Sequence, residues 1–310
     1  VKYLPWLCCV VALAASQLHA DDRPAPFALK DGDRVVFVGN DFFDRDVQTG
    51  YIETALTLRY PKSNIIFRNL GYSGDTVWAD ARTLCSGWDL FGPEDQGFQR
   101  LKKLVTELKP TVILVSYGMN ESFAGKAGLD HFTEGLNRML DMLAATQARI
   151  VLVSPIAHEN LGPPLPDPAA HNADLKLYVD ALQKAANDRG DGFIDLFNLP
   201  KSDRPITSDG IHPTPNGYRF LAGAILKQTS GDAAPVDSQG SETLRSAIIK
   251  KNADFFHYWR PENDTYVFGY RNHEQGRNAP EVPKFLPLAE EDDKKIAELR
   301  KQTNAQSAEH

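Results

Sequence analysis

Five short, largely apolar runs punctuate the chain: residues 34–38 (RVVFV), 64–69 (NIIFRN), 111–115 (TVILV), 149–153 (RIVLV) and 193–196 (FIDL). They are continuous runs and do not alternate with polar residues, which is the signature of strands buried on both faces. Between them lie segments with helical spacing. Over residues 44–60 Val47, Tyr51, Leu56 and Leu58 fall on one face. Helices are also predicted over 95–108, over 129–146 with Phe132, Leu136, Met139, Leu140 and Leu143 inward, over 175–188 and over 215–226. Strand alternating with helix predicts a parallel five-stranded sheet in a three-layer α/β/α sandwich of flavodoxin-like type.

The ends of the chain differ from this middle. Residues 1–20 carry a short positive start at Lys2, an apolar stretch from Tyr3 to Ala15, and Leu18-His19-Ala20 before an acidic, proline-containing segment. That layout predicts a cleaved export signal and an exported protein, periplasmic or extracellular. The apolar run is shorter than the ~20 residues a membrane-spanning helix needs, so no transmembrane segment is expected in the mature chain. Cys8 and Cys9 lie in this leader, so Cys85 alone would remain and no internal disulfide is possible. Residues 231–235 (GDAAP) read as a linker. Beyond it a capped helix over 241–256 ends in Phe255-Phe256-His257-Tyr258-Trp259, and a Gly/Asn-rich stretch runs from 261 to 283. A charged helix over 288–302 has acids first and bases last, as the helix dipole favours. The organisation read from this is a leader (1–20), a main domain (21–230) and a mainly helical extension (231–310).

Composition narrows the function. A hydrophobic content of 42% and a charged content of 24% suit a globular protein. A net charge of -7 without long basic blocks argues against nucleic acid as a partner. The polar clusters lie after the strands, where ligands bind in parallel sheets. They are Gly39-Asn40-Asp41, then Asn69-Leu70-Gly71-Tyr72-Ser73-Gly74-Asp75-Thr76, then Gly118-Met119-Asn120-Glu121. Ser208-Asp209-Gly210-Ile211-His212-Pro213 comes late in the chain. Each alone is ordinary turn chemistry. In this order on this topology they form a pattern.

That pattern resembles the SGNH (GDSL-like) hydrolases, whose blocks are Gly-Asp-Ser, Asn-x-Gly, Gly-x-Asn-Asp and Asp-x-x-His-Pro. The resemblance covers about residues 34–226. The tail, with Phe256-His257-Tyr258-Trp259-Arg260-Pro261 and His273-Glu274-Gln275-Gly276, resembles an exported bacterial subfamily that itself departs from the first block. The resemblance implies ester hydrolysis on a small-molecule or carbohydrate acyl ester, without a cofactor. It makes His212 the general base, Asp209 its orienter, and the Gly71 N–H and Asn120 amide the oxyanion donors.

The first block departs where it matters most. The nucleophilic serine position holds Asp41, with Asn40 before it. A carboxylate is a poor acyl acceptor, since the product is a mixed anhydride. It brings negative charge to the oxyanion position, and beside His212 it is expected to form an ion pair and raise the imidazole pKa. Three readings follow. Hydrolysis could run by a variant route, through water or through a neighbouring hydroxyl such as Ser73. The cleft could bind a glycan without turnover, with Tyr72, Trp78, Trp88 and Tyr117 as stacking candidates. Asp41, Asp75, Glu121 and His212 could hold a cation, although their spacing matches no metal signature. His158-Glu159-Asn160, on the same rim, could recognise substrate or stabilise its loop.

Overall fold

The computed structural model describes residues 27–83, 95–230, 240–274 and 278–308. The expected leader, Cys85, Trp88, the linker over 231–235 and Gln275-Gly276 lie outside the described residues.

Five parallel strands form one sheet: β1 (Arg34–Gly39), β2 (Ile66–Gly71), β3 (Val112–Ser116), β4 (Arg149–Val153) and β5 (Gly192–Ile194). Their order is β2-β1-β3-β4-β5. Strand parity sorts the core into two layers. Val36, Val38, Ile113, Val115, Ile150 and Leu152 face Leu101, Leu136, Leu140 and Leu182, which lie on α3 (Gln96–Leu108), α4 (Leu129–Ala144) and α5 (Ala169–Arg189). Val35, Phe37, Val112, Leu114, Val151 and Val153 face Ile52, Leu56, Leu221 and Ile225. Those belong to α2 (Tyr51–Arg59), which follows α1 (Asp41–Thr49), and to α6 (Pro215–Ser230). The flavodoxin-like layering expected from the sequence is borne out.

The single helix expected over 44–60 is two. Gly50 takes a left-handed φ of 66° and ends α1. The buried Asp46 carboxylate then accepts the N–H groups of Tyr51 (3.1 Å) and Ile52 (3.3 Å). These bonds satisfy open donors of the new helix. The expected apolar face is also incomplete. Val47, Tyr51 and Leu58 are only half-buried, and α2 is buried nearly all round, because the C-terminal region covers its outer side.

That region contains α7 (Ser241–Trp259), α8 (Asp264–Val267) and α9 (Phe285–Ala308). The helix α7 packs on α1, α2 and the edge strand β2, and α9 packs on α7. Buried Lys251 donates to Glu53 (2.7 Å) and to the Phe67 carbonyl (3.1 Å), while Arg68 grips Asp293 through both nitrogens (3.1 and 2.6 Å). The dipole reading of the tail is corrected. Because α9 begins at Phe285, its acids lie beyond the first turn, and Asp292 and Asp293 serve ion pairs to Lys250 and Arg68. Among the described residues no helix is long and apolar enough to cross a membrane.

Candidate active site

The sheet order reverses between β1 and β3, and the crevice beyond their carboxyl ends is where a doubly wound sheet binds ligands. Asp41 opens α1 directly after β1. Asn120 follows β3, Gly74 lies in the loop after β2, and His212 stands in the turn before α6. A Cβ on Gly39 would sit 2.5 Å from the Ser116 carbonyl oxygen, so glycine there lets β1 and β3 close up just before the chain turns into the site.

The His212 turn is built by Asp209. Its Oδ1 accepts the N–H groups of Ile211 (3.1 Å) and His212 (2.8 Å), and its Oδ2 accepts the His212 Nδ1–H at 2.6 Å. Burial opposes ionisation of Asp209, but these hydrogen bonds outweigh it and hold the carboxyl down at about 2. An ionised acceptor beside Nδ1 fixes the orientation of the ring and turns Nε2 outward, the geometry a general base requires. Nε2 points to Asp41 Oδ1 at 3.7 Å. That is an ion-pair distance, longer than a hydrogen bond.

Asp41 Oδ2 faces the other way. It accepts the Gly74 N–H at 3.1 Å and the Asn120 amide at 3.4 Å. Burial raises the Asp41 carboxyl. Hydrogen bonds from Gly74 and Asn120 more than offset this and hold it below the ordinary value. The start of α1 adds the favourable end of a helix dipole. The Gly74 N–H and the Asn120 amide, the latter an oxyanion donor expected from the sequence, are thus both engaged by the protein's own carboxylate.

One expected donor is corrected. The Gly71 N–H donates to the Asn69 side chain at 2.8 Å and does not face Asp41. A Cβ on Gly71 would lie 2.2 Å from the Asp44 nitrogen, so this glycine serves close packing of the loop on α1. Gly74, with φ of 75°, turns its N–H into the site instead.

The other candidates find structural partners. The Ser73 hydroxyl donates to Asp44 at 2.5 Å, and Asp44 also holds the Ser73 N–H (3.2 Å) and Arg260 of the C-terminal region (3.2 Å). Asp75 is buried against Arg82 (2.7 Å) and the Tyr117 hydroxyl (2.9 Å). Glu121 accepts the Val77 and Gly118 N–H groups, both at 2.9 Å, and so ties the loops after β2 and β3 together. These carboxylates are engaged away from Asp41 and His212. Among the described residues no group of three His, Cys, Asp or Glu side chains is arranged to hold a metal ion. Tyr117 is fully buried and cannot stack on a ligand, and Tyr72 carries the Arg260 guanidinium 3.4 Å above its ring. Trp78 is half-buried and stacks on His131.

Glu159 has a role that its place in the sequence does not reveal. Its carboxylate accepts the Ile206 N–H (3.2 Å) and both the N–H (2.9 Å) and hydroxyl (2.5 Å) of Thr207, and its own N–H donates to Gly210 (2.8 Å). It clamps the turn that presents Asp209 and His212. The loop-stabilising alternative for this residue is the one the contacts favour.

Three cavities are candidates for substrate space. One of about 30 Å³ is lined by Asp41, Phe42, Met119, Asn120, Ile156, Ile211 and His212 among others. One of about 610 Å³ shares Ile156 with it and extends along Glu159, Phe197, Arg204 and Phe220. A third, of about 480 Å³, is lined by Trp78, Asp80, Asp95, His131, Glu134 and Arg138.

Comparison with known proteins gives the fold a context. A gut microbial diltiazem-metabolizing enzyme, BT4096, has a similar structure: TM-score 0.51 and 22% identity over 66% of this chain and 48% of that one. The chain therefore spans about half the length of that protein. An acetyl xylan esterase, AlAXEase (TM-score 0.48, 20% identity, 63% of this chain and 98% of that one), is also similar. So is Est24, a carbohydrate acetylesterase from Sinorhizobium meliloti (TM-score 0.44, 14% identity, 64% and 99%). No curated protein sequence matches the chain. The model of the GDSL-like lipase/acylhydrolase family matches residues 32–220, more than half of the chain and the whole stretch from β1 into α6 that builds the site, and the chain belongs to that family.

Proposed function

We propose that the chain is an ester hydrolase in which His212, oriented by Asp209, activates water, with acetyl esters of carbohydrates as its substrates. The observation that carries this is the 2.6 Å bond from His212 Nδ1 to an ionised Asp209, which orients the ring so that Nε2 faces Asp41. The small cavity supports the acyl size. At about 30 Å³ it is far smaller than the neighbouring cavity and lies against Asp41 and His212, which suits a short acyl group. The leader read from residues 1–20 supports action outside the cytoplasm.

A second reading has an observation of its own. Because Asp41 Oδ2 fills the Gly74 and Asn120 donors, the cleft can equally hold a glycan without turnover. Release of acetate from acetylated mono- and disaccharides by wild type and by Asp209→Asn separates the two. Turnover that falls sharply in the variant supports the hydrolase. No release by either protein, with saccharide binding intact, supports the binding module.

A further inference from the structure

The two oxygens of Asp41 are differentiated. Oδ2 is held by the Gly74 N–H and the Asn120 amide, and Oδ1 is the oxygen turned to His212. Carboxylate attack at an acyl carbon gives a high-energy anhydride. Attack at an activated saturated carbon gives an ordinary ester, as carboxylates do at anomeric carbons in glycoside hydrolysis. We propose that Asp41 is a covalent nucleophile at the anomeric carbon of 1-O-acyl sugars, so that this site cleaves the alkyl–oxygen bond of the ester and not the acyl–oxygen bond. The inference deepens the proposed function and rests on His212 as the base that activates water.

The steps balance. An Oδ1 lone pair forms the bond to the anomeric carbon, and the sugar–oxygen bond breaks with its electron pair leaving on the carboxylate product. A carboxylate is weakly basic and departs without a proton, so this step needs no acid from His212. His212 Nε2 then takes a proton from water, and the hydroxide adds to the Asp41 carboxyl carbon. The negative charge of the tetrahedral intermediate develops on Oδ2, where Gly74 and Asn120 already stand as donors, the arrangement that stabilises an oxyanion. On collapse the sugar oxygen leaves with the proton held by His212, and Asp41 returns to the ionised carboxylate, releasing one proton to solvent. The net reaction is ester plus water giving free sugar, acid anion and a proton. On this account the apparent misuse of the oxyanion donors is their use, one residue displaced: they serve the ester formed on the protein. The hydrogen bonds on Oδ2 keep Asp41 ionised, the form in which Oδ1 can attack.

The test is a single turnover of 1-O-acetylglucose by the full chain in ¹⁸O-water. The expected result is acetate without label together with ¹⁸O in the peptide that carries Asp41. His212→Gln, which retains the cleft but not the base, is expected to accumulate one hexose on Asp41. Labelled acetate, an unlabelled Asp41 or a hexose-free His212→Gln protein of wild-type melting temperature each overturns the inference. Hydrolysis of a 6-O-acetyl sugar run in parallel keeps the two claims apart. If only the 6-O-acetyl ester is cleaved, the covalent route fails and the hydrolase stands. If neither is cleaved, both fail.

Discussion

The Gly74 N–H donates to Asp41 Oδ2 at 3.1 Å, so in the proposed site a carboxylate of the chain occupies a donor that would otherwise be open to a substrate oxygen. Its partner on the same oxygen is Asn120. Replacing Asp41 by serine frees both donors and supplies a hydroxyl beside His212. Preorganised donors of this kind are worth roughly 10²–10³ in rate. Asp41→Ser is therefore expected to hydrolyse an aryl acetate at least tenfold faster than wild type, by an acyl-enzyme route that labels the released acetate in ¹⁸O-water. A variant no faster than wild type would show that the freed groups are not competent donors.

The strands and the order of the motif-bearing loops were legible in the sequence, because β-branched residues buried on both faces leave continuous runs. The break in the 44–60 helix was not. Gly50 is tolerated inside a helix, and what makes it a terminus is Asp46 reaching around to cap the next one. The choice between Gly71 and Gly74 was hidden for a related reason. Both lie in one loop, and only the turn at Gly74 decides which N–H points at Asp41. Glu159 was invisible as a clamp because it acts on Thr207, far along the chain. The sugar-stacking candidate Tyr117 failed because its hydroxyl is needed by a buried carboxylate, Asp75, whose main partner is Arg82.

Glu159 offers a direct check on how the Asp209–His212 turn is held. Glu159→Ala removes the acceptor of three hydrogen bonds and leaves Thr207 without its side-chain partner. The expected outcome is a fall in kcat of roughly tenfold or more with KM little changed, because misplacement by a fraction of an ångström costs orientation and not binding. Steady-state kinetics on an acetyl ester measure it. An unchanged kcat would remove Glu159 from the positioning of His212.

Two buried acids set the dependence of stability on pH. Burial raises Asp46 to about 7 despite hydrogen bonds from Thr49, Tyr51 and Ile52, and burial likewise raises Glu121 to about 7. Each binds its proton more tightly in the folded chain than in the unfolded one. Between their ordinary values near 4 and about 7 the folded state holds more protons, so stability falls as pH rises through that window. Asp209 has the opposite sign: its contribution is present above the ordinary Asp value and is lost as pH falls toward about 2. The melting temperature is expected to peak near about pH 4 and to decline by several degrees toward about pH 7, with Asp46→Asn flattening the decline. A melting temperature that rises steadily across that range would contradict this.

The attachment of the C-terminal region is testable through Lys251. Its ammonium is fully buried and paired with Glu53 at 2.7 Å. Removing one partner of such a pair strands the other charge, at a cost of roughly 3–5 kcal/mol. Lys251→Ala is expected to lower the unfolding free energy by about that amount in urea titration, and Lys251→Met with Glu53→Gln to recover much of it. Equal losses in the single and double variants would mean that packing volume, not the charge pair, holds α7 to β2.

His212, held by Asp209, is proposed as the base of a working hydrolase in which Asp41 stands at the family's serine position. The most direct measurement is kcat/KM for an acetylated sugar with wild type and His212→Ala at neutral pH. The account predicts measurable acetate release by wild type and a loss of roughly 10³-fold or more in the variant, the scale seen when a triad member is removed. Equal rates in the two proteins, or no release by wild type, would contradict it.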